Sequence, residues 1–483
     1  MSAAGSRALF LFTRDLRLGD HAGLQEAARH GEVVPALVFD PPVRERVCRN
    51  VRRAAYYCGA LGSLEAALRE RGTRLICRRG PLVSTVRRLA RDAGARTVVW
   101  SAGYDAASRE RGRRLQSALE EAGLRALIVH DSPAVAPETS AAARTAEGGL
   151  GYRALAPFLA AWETLGRPPV TGPVRFASPD VAGEAPPTAA ELGAPALDEP
   201  PSEARALRAL EAYLAGPVLR YAGARNVPGG EPTSRLSADL SFGTIAARTV
   251  LARVDERLGD RFLLAEERCS LRAFARALAQ RDFFLQLAWF FESAPDDALQ
   301  TRMRGFPFAT RHPHLEAWRE GRTGYPLVDA GIRQLRETGW MHPRVRLVAA
   351  SFLCFDLGVT WRVGRDEWDR QLVEDEPALA LGNWQWVAGV GADLAQFPRI
   401  FNPRKQARAL DPRGAYLRRW VPELASLPDP DVLDPPAASR RPQLVLPLFE
   451  GASYPAPVVE HEAVARAFLR RYAAFRATFP GAD

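Results

Sequence analysis

"ALFLFTRDLRLGDHAGL", residues 8–24, opens with five apolar residues, breaks into a charged turn and then resumes a helix-like pattern. The opening five residues read as a strand, and the same kind of run returns along the next hundred residues. "VVPALVF" (33–39), "RLICR" (74–78), "TVVW" (97–100) and "RALIVH" (125–130) are the further strand candidates. Helical patterns such as "LGSLEAALRERG" and "RERGRRLQSALEEAG" lie between them. Strands alternating with helices predict a doubly wound parallel sheet over residues 1–131. No G-x-G-x-x-G follows the first strand, so the usual dinucleotide fingerprint is missing.

Working outward, the segment 132–204 is dense in Pro, Gly, Ala and Ser and reads as an interdomain linker. From 205 to 483 the strand signals nearly vanish and helical periodicity takes over, which predicts an all-α domain. A chain of 483 residues is too long for one ordinary core, in keeping with this division. The longest apolar run, Leu347 to Phe355, is about half the length of a bilayer-spanning helix. "ALFLF" is too short for a signal-peptide core. A cytoplasmic monomer is the expectation.

The five cysteines are scattered and form no C-x-x-C pair, so neither a disulfide framework nor a zinc or iron–sulfur site is expected. His312 and His314 lack the further ligands a metal needs, and no metal is assigned. Net charge is +9, which suits a polyanionic partner. Lys405 is the only lysine among 65 basic residues, however, and that arginine bias also reflects a GC-rich genome.

Four segments of the helical half carry chemistry. In "YAGARNVPGGEPTSRLS" (221–237), a Gly/Pro turn delivers hydroxyls to a helix start, which suits a phosphate or an ordinary N-cap. In "ALAQRDFF" (277–284), Arg281 lies amid Phe274, Phe283 and Phe284, able to bind a phosphate, stack on a ring or sit at the surface. "TGYPLVDAGIRQLRETGWMHPRVR" (323–346) sets Leu327, Val328, Ile332 and Leu335 on one helical face, with Arg333, Arg336, Arg344 and Arg346 around it. The fourth combines Glu374, Asp375 and Glu376 with "NWQW" (383–386) and the basic "RIFNPRKQ".

Together these segments resemble the photolyase/cryptochrome flavoprotein family. The likeness is dense in TSRLS, TGYPLVDAGIRQL, TGWMHPRVR, NWQW and RIFNP, and extends to FTRDLRLGDHAGL, DPRGAYLRRWVPEL and YPAPVVEHEAVARAF. It implies an N-terminal α/β domain, a linker and a helical domain holding FAD, with DNA containing pyrimidine dimers as partner. By resemblance, Tyr221, Thr233, Ser234, Arg235, Leu236 and Ser237 hold the FAD phosphates. Phe274, Arg281, Trp340, Arg346, Glu374, Asp375, Glu376 and Ala380 complete the flavin site. Arg225, Gln280, Arg344, Arg399 and Gln406 face DNA, and Trp386 walls the dimer pocket. Trp384 and Trp361 match the first two members of the family's electron relay.

The departures from the family are as specific. The glutamate, tryptophan and methionine usual in the dimer pocket of cyclobutane photolyases fall on Ala277, Gln280 and Leu347. The asparagine common near flavin N5 falls on Ala380. Pro343 and Leu347 replace the two histidines of (6-4) photolyases, and no cysteine follows Cys354. The third relay position is Phe308, so the relay stops short or ends on another residue, Trp318 or a tyrosine. Core packing is the favoured reading of Trp318 and Trp289. Ala107 and Ser108 replace a pair associated with folate antennas, so a second chromophore is left unassigned. Cyclobutane dimer repair with a non-standard pocket is the main reading and a blue-light sensor the alternative, with a thermal flavin oxidoreductase third.

Overall fold

In the computed structural model, residues 6–478 are described, apart from 147, 167, 178–179, 231, 292–296, 393–397 and 436–453. The chain forms two compact units. One comprises residues 1–222, 234–292 and 373–379, the other 223–233, 293–372 and 380–483.

The first unit is built on a five-stranded sheet of order β3-β2-β1-β4-β5, every neighbouring pair parallel. The strands are β1 (Arg7–Phe12), β2 (Glu32–Phe39), β3 (Ile76–Arg79), β4 (Ala95–Ser101) and β5 (Arg125–Val129). Each expected strand is present, shifted by one or two residues at its ends. Side chains alternate between the two faces of a strand. Phe10 and Phe12 therefore join one core with Leu24, Leu61 and Leu64, while Leu9 and Leu11 join another with Val86, Leu89 and Leu115. Burial on both faces explains why β1 and β2 are continuously apolar instead of alternating.

β1 lies between β2 and β4, so the strand order reverses there, the point at which open parallel sheets place a crevice beyond their carboxyl ends. The charged turn after β1 is clamped in place. Arg17 Nη2 donates to Asp131 Oδ2 at 2.6 Å, Arg248 Nη2 donates to Asp131 Oδ1 at 2.9 Å, and Arg248 Nε reaches Asp20 Oδ1 at 3.3 Å. Burial alone raises the Asp131 carboxyl, but Arg17, His21 and Arg248 outweigh it and hold the group far below the usual carboxylate range. Asp15, His21 and Asp131 come close enough to resemble metal ligands. Guanidinium groups already occupy both Asp131 oxygens, so the cluster is a clasp of charges.

The stretch 132–204, expected as a linker, contains helices at Pro137–Ser140, Ala142–Ala146 and Leu155–Thr164. Phe158 and Trp162 of the last one are buried, and Trp162 Nε1 donates to Asp282 Oδ2 at 3.1 Å. Phe176 and Glu184 then bridge to β2 and β3. Four scattered aromatics in a Pro/Ala-rich stretch are too few to register as periodicity, yet Phe158 and Trp162 are enough to anchor it.

The second unit is helical around a core that includes Trp318, Trp361, Trp384, Phe352 and Tyr416. Its helix Pro326–Thr338 buries Leu327, Val328, Ile332 and Leu335, the face expected from their spacing. Gly339 ends that helix in the left-handed conformation at φ 70°, and Pro343 starts the next, Pro343–Ser351.

Candidate flavin- and DNA-binding site

The residues assigned to the flavin are distributed over both units, and each set takes its geometry from its own unit. In the first unit, Ser234 to Ser237 form a loop that enters the helix Ser237–Phe242. Arg235 is held at φ 54°, one of two non-glycine residues with positive φ among those described. A left-handed arginine is uncommon and marks a site whose backbone path is over-determined. Arg235 is exposed and Leu236 buried, and Ser237 Oγ donates to Glu374 Oε2 at 3.1 Å. Tyr221 packs edge-on against Phe274 with ring centroids 5.5 Å apart.

Arg281 belongs to the long helix Ala265–Phe290 and is only 8% exposed. Its Nη1 donates to the Ser132 carbonyl at 2.7 Å, and its Nη2 donates to Ser132 Oγ at 2.6 Å and to Glu376 Oε2 at 3.0 Å. The three acidic residues thus divide. Glu376 neutralises Arg281, and Glu374 takes the Ser237 hydroxyl. Asp375 is buried in an arginine cage, bonded to Arg46 Nε at 2.5 Å with Arg53 Nη1 at 3.9 Å. Burial raises the Asp375 carboxyl, but Arg46, then Arg14 and Arg53, outweigh it and bring it down to about 2. Gln280 is exposed and Ala277 half-buried on the same helix.

In the second unit, Thr233 is half-buried, and its Oγ1 is buried with no hydrogen-bond partner among the described residues. A buried hydroxyl without a partner costs stability, and a phosphate or ribose oxygen would satisfy it. The residues present therefore fit the family's cofactor. Arg346 Nε donates to the Met341 carbonyl at 2.9 Å, and Trp340 stands edge-on to His342 at 6.2 Å. Ala380 is half-buried on the helix Pro377–Val387, which also carries Trp384 and Trp386.

The residues assigned to DNA differ in how free they are. Arg225 and Arg399 are exposed, and Gln406 is half-buried. Arg399 lies over the half-exposed Trp386 ring, 5.4 Å from its centroid. Arg344 bends back, both Nε and Nη2 donating to Asn226 Oδ1 at 3.0 and 2.9 Å. Burial, with Arg225 beside it, pushes the Arg344 guanidinium below its usual pKa.

The relay residues Trp384 and Trp361 are 4% and 1% exposed, while Phe308 is half-buried against Phe306 and Phe468. Trp318 is fully buried, in line with core packing, and it stacks on Trp368, which in turn touches Trp384. Trp368 was not singled out in the sequence, nor were Ser132 and Asn226, because their roles arise only from contacts over long sequence separations. At Ala107 and Ser108, Asp105 caps the helix Ala106–Glu121, its carboxylate accepting from the Ser108 backbone N–H at 3.0 Å and from Ser108 Oγ at 2.6 Å. Arg109 lies 4.6 Å over half-buried Trp289.

Two family models match the chain. The FAD binding domain of DNA photolyase spans residues 274–474, and DNA photolyase spans residues 8–174. The deoxyribodipyrimidine photo-lyase of Streptomyces griseus is 37% identical over 94% of this chain and 96% of its own length. Among solved structures, a class III photolyase from Agrobacterium tumefaciens covers 99% of this chain and 100% of its own at 30% identity and TM-score 0.83. A Synechocystis cryptochrome covers 98% of this chain and 100% of its own at 26% identity and TM-score 0.85. With likeness along nearly its full length to proteins of both kinds, and a match to the FAD-binding domain itself, the chain belongs to the DNA photolyase family.

Proposed function

We propose that the chain is an FAD-dependent, light-driven lyase that splits cyclobutane pyrimidine dimers in DNA. The observation that carries repair is the half-exposed Trp386 ring with the exposed Arg399 guanidinium 5.4 Å above its centroid. A flat aromatic face beside an unburied cation suits an extruded base and the phosphate next to it. When bound, FAD supplies light absorption and the one-electron chemistry. Thr233, Ser234 and Ser237 would take its phosphates, with Glu374 and the Arg281–Glu376 pair setting the charge around it. Arg225 and Arg399 would hold DNA phosphates, and Trp386 would wall the lesion pocket.

The pocket is non-standard. Ala277 cannot accept a hydrogen bond from an extruded pyrimidine, and Gln280 has no aromatic face. Base–aromatic stacking is worth about 1–3 kcal/mol per base, so one lost platform weakens lesion binding by roughly one to two powers of ten. Cyclobutane dimer repair is therefore present but weak, with poor discrimination against undamaged DNA. These two positions, together with Leu347 and Ala380, favour a second reading, a blue-light sensor.

The test is illumination of the reduced, FAD-loaded protein with dimer-containing DNA, following loss of the dimer. Ala277→Glu combined with Gln280→Trp is expected to improve both repair and discrimination. No repair by either protein, with reduced FAD verified, would overturn the lyase reading in favour of the sensor.

A further inference from the structure

With Phe308 at the third relay position, the expected path through Trp361 has no tryptophan to end on. The structure offers another route from Trp384. Trp368 lies against it with ring centroids 4.5 Å apart, and Trp318 stacks on Trp368 at 6.3 Å with planes only 13° apart. All three indoles are buried, at 4%, 5% and 0% exposure.

Electrostatics separates the two routes. Trp361 and Trp368 lie on one helix, Trp361–Asp369, the first at its initial position and the second in its last turn. A helix presents partial positive charge at its N-terminus and negative at its C-terminus, so a cation is disfavoured at Trp361 and favoured at Trp368. Two guanidinium groups add to this, Arg362 at 5.0 Å and Arg365 at 5.3 Å from the Trp361 ring centroid. Their attraction to the neutral ring becomes repulsion once that ring loses an electron. Asp366, Glu367 and Asp369 flank Trp368 along the chain, but Arg365 pairs with Asp366 at 2.9 Å and Arg319 and Arg370 partly neutralise Glu367, so the helix ends and Arg362 carry most of the contrast. Beyond it, Trp318 Nε1 donates to the Ala349 carbonyl at 3.0 Å, whereas the buried Trp368 Nε1 has no partner among the described residues. A hydrogen bond from an indole strengthens when the indole becomes a cation, so Trp318 is the more favourable resting place of the two.

We infer that the chain refills Trp384 through a buried branch, Trp384–Trp368–Trp318, in preference to Trp361. The inference rests on the flavin reading above. With FAD bound, Trp384 would be the residue that supplies it with one electron, Trp368 would return one to Trp384, and Trp318 one to Trp368. The net transfer is one electron from Trp318, and an external thiol in solution returns it. The Ala349 carbonyl is no base, so the Trp318 radical keeps its proton and remains a cation.

Flash photolysis of the FAD-loaded full chain reads this as the lifetime and protonation state of the tryptophan radical. Trp368→Phe is expected to shorten that lifetime at least ten-fold, and by more than Trp361→Phe does. Arg362→Gln combined with Arg365→Gln should make the lifetime more sensitive to Trp361→Phe. The flavin-free chain supplies a separate readout. Its near-ultraviolet circular dichroism should show a coupled-indole signal that weakens in Trp318→Phe, which leaves the Trp368–Trp384 pair, and disappears in Trp368→Phe. A signal retained in both variants, or a lifetime shortened at least as much by Trp361→Phe as by Trp368→Phe, overturns the branch. Protein that takes up no FAD defeats the flavin reading itself, whereas bound FAD with the order of the two variants reversed defeats only the branch.

Discussion

Replacing Glu376 by Gln asks whether this carboxylate serves the flavin, the protein or both. Its Oε2 is 3.0 Å from Arg281 Nη2, and the two side chains are 9% and 8% exposed. Removing one partner of a buried ion pair typically costs about 3–5 kcal/mol, because the other charge is left without compensation. The amide oxygen of Gln can still accept from Nη2, and Ser132 keeps its two bonds to Arg281, so the lower end applies, about 3 kcal/mol. At about 2–4 °C per kcal/mol for a large domain, the flavin-free protein should melt roughly 6–12 °C lower. Glu376→Leu, which also removes the acceptor, should cost more. Thermal denaturation of the flavin-free chain, followed by FAD titration of each variant, separates the two roles. A flavin-free melting temperature unchanged in both variants would refute the claim that Glu376 compensates a buried Arg281. An unchanged melting temperature with weakened FAD binding would assign the residue to the cofactor alone.

Three other outcomes follow from the same contacts. Arg399→Ala should weaken binding to undamaged duplex and reduce the slope of log K against log salt by about 1, whereas Arg344→Ala, already bonded to Asn226, should change it less; equal slopes for Arg399→Ala and the parent place the DNA elsewhere. Asp356 Oδ1 and His461 Nδ1 are 2.6 Å apart; burial pushes the Asp356 carboxyl up to about 6, and although burial lowers His461, Asp356 outweighs it and raises the imidazole. Both groups then hold protons more tightly in the folded chain, so the pair's contribution is full in acid and is lost as pH rises through about 6 and then through the raised His461 value. Hydrogen exchange of the helix His461–Ala477, corrected for intrinsic rates, should show falling protection between pH 5 and 8 and a flatter profile in Asp356→Asn. Finally, a Cβ at Gly364 would overlap the Trp384 ring edge and Leu353. Overpacking of about 1–3 kcal/mol offsets the roughly 1 kcal/mol helix gain from alanine, so Gly364→Ala should be neutral to destabilising and should slow flavin photoreduction. A more stable variant with unchanged photoreduction contradicts this.

Residues 8–24 show how much a single sequence determines. The apolar runs and their spacing specify five strands and the α/β class, because burial on both faces of a parallel sheet leaves no alternation to obscure them. Likewise, Leu327, Val328, Ile332 and Leu335 specify a helix and its inner face, since the 3.6-residue period is a property of the backbone itself. Family motifs went further and named the flavin- and DNA-side candidates. What the sequence could not rank was which of these groups are spent on the protein. Glu374, Asp375 and Glu376 are consecutive and chemically alike, yet one takes a serine hydroxyl, one fills an arginine cage and one neutralises Arg281. Trp361 and Trp368 are equivalent letters seven residues apart, and only folding sets one at the positive end of a helix beneath two arginines and the other between two indoles. Charge compensation and ring contact depend on distances between residues far apart in the chain, and those distances exist only once the tertiary structure has formed.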